Sequence, residues 1–244
     1  MPHSSVRTKR QQKLPLYKTA PWWQLFLVDV LVIVGSSFLL FAIWQLWWTT
    51  FKVEGEMQEQ IKMFQAAHPA ATGYIEVQRT DAPPIMSQPE IGETMGVLHV
   101  PKWDQMAIPV QQGTDSWILD TGNAGHYVET QLPGEIGNSA YAGHRRTYGN
   151  NFRQVHIMEE GDVVVFETNE AWLVYEVIGH EIVPPTQVEV VMPVPNEPNE
   201  EPTKRLLTMT TCDPEFGNTE RFILYSEFAY WVPKDMGVPK VLEK

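Results

Sequence analysis

Cys212 is the only cysteine in the chain. It closes a strand-like run at 205–211, and Asp213-Pro214 after it reads as a turn. A thiol at the end of a strand, beside a turn, can be presented to a groove. With one cysteine there is no internal disulfide, so the residue is either a small buried hydrophobe or a reactive thiol. A thiol becomes an effective nucleophile once deprotonated, which calls for a neighbouring cation or base, usually His. The candidates are His68, His99, His126, His144, His156 and His180. His144 is set apart by its context, Ala142-Gly143-His144-Arg145: a strand-like run, then a glycine that allows close backbone approach. Acyl transfer also needs a group to hold a developing oxyanion. Arg221 opens the strand-like stretch RFILYSEF and carries a permanent, forked positive charge. Each residue also has a bland reading: an inert core thiol, a satisfied histidine, a surface arginine.

The elements that must position these residues are short strands between turn residues. Candidates are 94–100, 106–111, 138–142, 162–168, 171–183, 205–211 and 221–230. This spacing predicts an all-β barrel or sandwich, with a short helix at 150–156. Residues 184–202 break the texture with several prolines, four glutamates and an apolar patch at 188–194. A long loop in a compact domain is more often functional or disordered than structural. Upstream, Val53, Met57, Ile61 and Phe64 share one helical face, as expected of a stalk, and the Pro-rich run 81–89 reads as an extended linker.

The net charge of −12 hides a split. Residues 1–21 carry Arg7, Lys9, Arg10, Lys13 and Lys18 and no acid, whereas the chain from Thr49 onward has 13 basic against 29 acidic residues. An acidic body argues against nucleic acid as a partner. Between the two parts, residues 30–48 form 19 uncharged positions, about 28 Å of helix, close to a bilayer core. Trp22 and Trp23 precede the span, and Trp44, Trp47 and Trp48 close it, as aromatic belts do. The span is longer than a signal-peptide core and lacks a small-residue cleavage site, so it reads as an uncleaved anchor with a cytoplasmic N-terminus. Asp29 reads as a tolerated end-of-span charge. The expected divisions are a basic tail at 1–21, an anchor at 22–48, an external stalk and linker at 49–90, and a catalytic domain at 91–244.

Thr208-Met209-Thr210-Thr211-Cys212 resembles the sortase signature TLxTC, with Met209 in place of Leu. Arg221, nine residues after the cysteine, lies where sortases keep their active-site arginine. Leu132-Pro133-Gly134, Gly137-Asn138 and Ala142-Gly143-His144-Arg145 resemble the stretch carrying the catalytic histidine. Ile91-Gly92 through His99-Val100-Pro101 resembles the first barrel strand, and Gly125-His126-Tyr127 the segment before the LPG turn. The likeness covers about 91–232, with motifs in the family's order.

The resemblance implies a closed eight-stranded sortase-type β-barrel and a cysteine transpeptidase. Such an enzyme cuts an LPxTG-like sorting signal of a surface protein between Thr and Gly. It then passes the acyl group to an amine, usually of a cell-wall precursor. Carried over, Cys212 is the nucleophile, His144 the general acid, and Arg221 the oxyanion or peptide-positioning group. Thr211 and Ala142 are implied at the oxyanion site and groove, and Val188, Val190 and Val191 at the pocket for the signal's leading Leu. The run His144-Arg145-Arg146-Thr147-Tyr148-Gly149 and the tail Trp231-Val232-Pro233-Lys234 resemble the actinobacterial class E housekeeping group. Some members of that group prefer LAxTG, and Tyr141 is a candidate for that preference. No cofactor or required metal is expected. A pilus-assembling sortase, a cysteine hydrolase that releases peptide to water, and a tethered binding barrel are the alternatives.

Overall fold

The structure is a computed structural model that describes residues 21–243; the side chains of 45–52 lie outside the description. The expectations for Arg7, Lys9, Arg10, Lys13 and Lys18, and for the side chains of Trp47 and Trp48, fall outside the described residues. Contacts divide the chain into two units at Trp48/Thr49. In the first, Trp22–Trp44 is helical and long and apolar enough to cross a membrane, as a single-pass anchor requires. The apolar helix therefore begins before the 30–48 span read from the sequence, because Trp22, Leu25, Phe26 and Leu27 continue its exposed apolar surface.

The second unit is built on a closed barrel. Its strands are β2 (Thr94–Val100), β3 (Met106–Gln112), β4 (Ala124–His126), β5 (Gly137–Ala142), β6 (Val163–Glu167), β7 (Ala171–Val183), β8 (Arg205–Asp213) and β9 (Glu220–Pro233). They close in the order β2-β3-β4-β5-β8-β9-β7-β6. Alternation sorts the side chains: Tyr141, Leu207, Met209, Phe222 and Leu224 point into the core, with Leu98, Phe166, Leu173 and Tyr175 from other strands. Neighbouring positions on the same strands face outward from the barrel, where Ala140, Thr208 and Ile223 are still buried. β3–β4 and β5–β8 pair in parallel and the other barrel pairs are antiparallel. In place of the helix read at 150–156, a short 3-10 turn spans Arg153–Ile157.

Parts of the region read as a stalk and linker pack on the barrel. Helix α1 runs Trp22–Ala67. In its C-terminal part Val53, Met57, Ile61 and Phe64 are all buried; Ile61 and Phe64 pack with Val97 and Ala107 of β2 and β3. Covering each of these side chains stabilises by about 1.5–3 kcal/mol, which a solvated stalk would forgo. After the helix, β1 (Tyr74–Ile75) pairs in parallel with β10 (Val238–Pro239). Arg79 and Trp231 exchange backbone hydrogen bonds of 3.0 and 2.8 Å, and the Arg79 guanidinium lies 4.4 Å above the Trp231 ring. The Pro-rich run is extended, as read, but Met86 packs against the core and Pro83 lies against Gly134.

Candidate active site

β5 and β8 run side by side in the same direction, with Ala142 opposite Thr210. The register carries on past the strand: the Gly143 amide donates to the Thr210 carbonyl at 3.1 Å, and the Thr211 hydroxyl to the Gly143 carbonyl at 2.7 Å. His144 and Cys212 each lie two residues beyond the Ala142–Thr210 pair, and Arg145, next to His144, reaches the Cys212 carbonyl at 3.1 Å. On the other side of β8, Cys212 pairs directly with Arg221 of β9. Tyr141, Met209 and Phe222 belong to the core, so alternation turns His144, Cys212 and Arg221 to the outside of the barrel at one end. Gly143 is required here for its size: a Cβ would lie 2.8 Å from the Phe152 ring, whose amide ties back to the His144 carbonyl.

Each of the three has local support. The His144 Nε2 is 2.8 Å from Oδ1 of Asp120, the residue that caps the short helix α2 (Ser116–Leu119), and its ring lies 5.2 Å from that of Tyr148. The buried Arg145 guanidinium donates from Nη1 to the Cys212 carbonyl at 3.1 Å and pairs with the Asp213 carboxylate. It thus fixes the backbone that carries the thiol. Arg221 donates to the carbonyls of Asn218 and Glu220 at 2.9 and 2.8 Å. Among the described residues no carboxylate pairs with Arg221, so its charge is not neutralised. The remaining histidines are engaged elsewhere: His68 with the Phe64 carbonyl, His99 with Glu167, His156 with the Arg153 carbonyl, and His180 stacked on Phe222. His126 is buried between Gln112 and the Gln131 carbonyl, and burial lowers its pKa.

A cleft of about 100 Å³ leads away from Arg221, lined by Tyr127, Val183, Pro185, Gln187, Val188, Val190, Val191, Thr210 and Ile223. Its wall is the segment 184–204. A 3-10 turn at Val188–Val191 puts Val190 against Val183 and Ile223, and the buried Asn138 amide donates to the Met192 carbonyl at 3.1 Å. The loop is therefore ordered by specific contacts with the barrel surface. Among the described residues no group of three or more His, Cys, Asp or Glu side chains converges to hold a metal.

Residues 98–229 match the sortase domain. The chain belongs to the sortase family. It is 32% identical to sortase SrtE1 of Streptomyces coelicolor over 250 aligned positions, covering 99% of this chain and 67% of that relative. Its structure resembles the sortase SrtA from Actinomyces oris: TM-score 0.67, 48% identity, 69% of this chain and 97% of that one. It also resembles sortase E1 from Streptomyces coelicolor with a tripeptide in the active site: TM-score 0.58, 34% identity, 62% of this chain and 97% of that one. As a sortase the protein is a cysteine transpeptidase with a closed eight-stranded barrel, most like the class E group.

Set against this sortase frame, Cys212, His144 and Arg221 come together at one barrel end, and Val188, Val190 and Val191 line the adjoining cleft. Ala142 lies on the outer face next to Thr210. The Thr211 hydroxyl is buried on the Gly143 carbonyl, and its backbone lies within β8, paired with Phe222 of β9. Tyr141 is a correction: it is 0% exposed, its hydroxyl is 2.6 Å from that of Ser139, and its ring packs against His126 and Phe166. It lies inside the barrel, where no peptide reaches it. Asp120 and the support role of Arg145 were missed. Asp120 is one of many acids and lies 24 positions before His144, so nothing local marks it. Arg145 stood next to the candidate histidine, and its adjacency was the available signal.

Proposed function

We propose that this protein is a membrane-anchored housekeeping-type sortase. It cleaves an LPxTG- or LAxTG-like sorting signal between Thr and Gly and transfers the carrier protein to a cell-wall amine. The observation that carries this reading is the shared outer face of His144, Cys212 and Arg221 beside an apolar cleft. The cleft suits the signal's leading aliphatic residue, through Val188, Val190 and Val191. Cys212 attacks the Thr carbonyl, and Arg221 donates to the oxyanion, where a permanent charge outweighs a neutral donor. His144 gives its proton to the leaving Gly amine, and then takes one from the incoming amine as it attacks the thioester. Asp120 holds the imidazole ring in orientation, as a carboxylate behind a catalytic histidine does. The basic tail and apolar helix support an N-terminus in the cytoplasm, with the catalytic unit outside.

The test is mass spectrometry of products from LPxTG and LAxTG peptides, with and without a panel of amines. A peptide–amine conjugate is the expected product. Hydrolysis alone at saturating amine would make the protein a thiol hydrolase, and no cleavage would remove the enzymatic reading.

A further inference from the structure

Asp120 and His144 meet at 2.8 Å but come from two different turns, one leading into β4 and one leaving β5, joined only where the β4–β5 pairing ends at Gly125 and Ala142. Asp120 lies two residues before Gly122, and His144 five residues before Gly149. Both glycines press against the same two side chains of helix α1. A Cβ added at Gly122 would lie 2.3 Å from Val53 Cγ1 and 2.7 Å from Met57 Sδ. At Gly149 it would lie 3.2 Å from Met57 Sδ and 3.3 Å from Val53 Cγ1. One turn further along the helix, Gln60 Oε1 accepts a 3.0 Å hydrogen bond from the side chain of Asn123, next to Gly122 and itself buried. We infer that α1 residues 53–60 are a brace for the Asp120–His144 pair, with Val53, Met57 and Gln60 as positioning residues for the proposed transpeptidation.

The physical case is one of shared reference. The β4–β5 pairing anchors each turn at one end, but the side chains that must meet beyond it are 39% exposed at Asp120 and 28% exposed at His144. A single rigid helix touching both turns fixes their separation. Val53 and Met57 are buried and packed directly onto glycine backbone, so little slack remains between helix and turns. The peptide cleft is built on Tyr127, β7, β8, β9 and the 184–204 loop, and none of its lining residues is Val53, Met57 or Gln60. The brace therefore acts on turnover, not on peptide affinity. A misplacement of about 1 Å in a reacting group can cost on the order of 100-fold.

The helix carries its own control. Ile61 and Phe64 continue the same buried stripe, but they pack on Val97 and Ala107, away from both turns. The experiment uses the full chain in detergent micelles. It measures kcat and KM for a sorting peptide with an amine acceptor, the pH profile of kcat, the thermal midpoint, and the NMR signals of the His144 imidazole. These signals are assigned with His144→Gln. Met57→Ala is expected to lower kcat about tenfold with KM within about twofold, to move the pH profile, and to shift the His144 signals. Met57→Leu is expected to restore all of these. Gln60→Ala, which leaves the apolar stripe intact, is expected to lower kcat about two- to threefold with the same spectral shift. Ile61→Ala is expected to lower the thermal midpoint at least as much as Met57→Ala, with kcat and the His144 signals unmoved.

The inference is overturned if Ile61→Ala and Met57→Ala lose kcat in proportion to their loss of stability. It is also overturned if the His144 signals stay in place in both Met57→Ala and Gln60→Ala. Because the inference rests on the sortase reading of the site, the spectral arm separates the two. Should wild type join no peptide to any amine while Met57→Ala still shifts His144, the brace stands and the transpeptidation reading falls.

Discussion

Among the described residues two histidine–carboxylate pairs stand at the same 2.8 Å, and only one belongs to the candidate active site. His99 pairs with Glu167, and His144 with Asp120. Around Glu167 the site is closed: the side chains of Glu167 and Lys234 are 1% and 4% exposed, and Lys234 Nζ donates to the second carboxylate oxygen at 2.7 Å. Gln65 of α1 donates a further hydrogen bond at 2.9 Å, and the Lys234 ammonium lies 5.4 Å from the rings of Phe64 and Trp172. Every charge there is spent on a neighbour. Around His144 the site is open, Asp120 is half-exposed, and a partly exposed thiol and an arginine without a carboxylate lie next to it. The two sites share β9, which carries Arg221 near its start and Lys234 just past its end. A His–acid contact alone thus says little about chemistry. What separates the proposed catalytic pair from the structural one is whether the surrounding charges are already satisfied.

The comparison predicts opposite phenotypes at the two ends. At the open end, Cys212→Ala removes the nucleophile. It is expected to lower kcat by at least about 10,000-fold, to the level of single-residue knockouts in other nucleophilic enzymes. The thermal midpoint should stay within about 2 °C, since one small, partly exposed side chain replaces another. Turnover that survives this change would end the mechanism. At the closed end, Glu167→Gln leaves the Lys234 ammonium buried without its counter-charge, a loss of about 3–5 kcal/mol. Calorimetry should show a drop of roughly 10 °C, with kcat per folded molecule unchanged.

The closed pair also has a pH signature. Burial pushes the Glu167 carboxyl upward, but the His99 hydrogen bond and the Lys234 charge outweigh it and hold the group below its ordinary value of 4.5. A depressed folded value means that ionised Glu167 stabilises the fold above about pH 4.5, and that this contribution is lost as pH falls through the folded value. The gap in thermal midpoint between wild type and Glu167→Gln should therefore narrow as the solution is acidified below about pH 4.5. A gap that is constant from pH 7 to pH 3 would place the stabilisation in packing and not in charge.

Much of this architecture could be read from the sequence, but unevenly. The long strands were legible because β-branched and aromatic residues alternate between turn residues, as in RFILYSEF. β4 was not, because Ala-Gly-His has no strand signature and its parallel pairing with β3 is set by the closed barrel. The stripe Val53, Met57, Ile61, Phe64 gave a helix face but not the surface it covers, since the partner residues lie in β2, β3 and two distant turns. Cys212, His144 and Arg221 were singled out through the order of motifs, not their local chemistry. Asp120 had no such motif. Tyr141 was misread because alternation assigns a residue to a face only once the barrel's interior is known.

Asp120→Asn tests the open pair directly. It keeps the shape and one acceptor, but removes the charged acceptor that fixes the ring. The expected loss in kcat is about 10- to 100-fold. The thermal midpoint should move by less than about 2 °C because the pair is half-exposed and worth little to stability. If His99→Gln at the closed end lowered kcat as much as Asp120→Asn, the division between the two pairs would collapse.

The smallest effect sharpens the open end from the substrate side. Val188 lines the cleft yet is 62% exposed, whereas Val190, from the same turn, is packed with Val183 and Ile223. Trimming Val190 would mix lost peptide contact with lost packing, so Val188→Ala is the cleaner variant. It removes up to two methylene equivalents that a bound aliphatic side chain would cover, about 0.8 kcal/mol for each one buried. Because Val188 is only partly covered, KM should rise about two- to fivefold with kcat unchanged. A fall in kcat with KM constant would move Val188 from ground-state binding to the reacting geometry. No change in either would exclude the signal's leading residue from this cleft wall, even if Cys212, His144 and Arg221 behave as described.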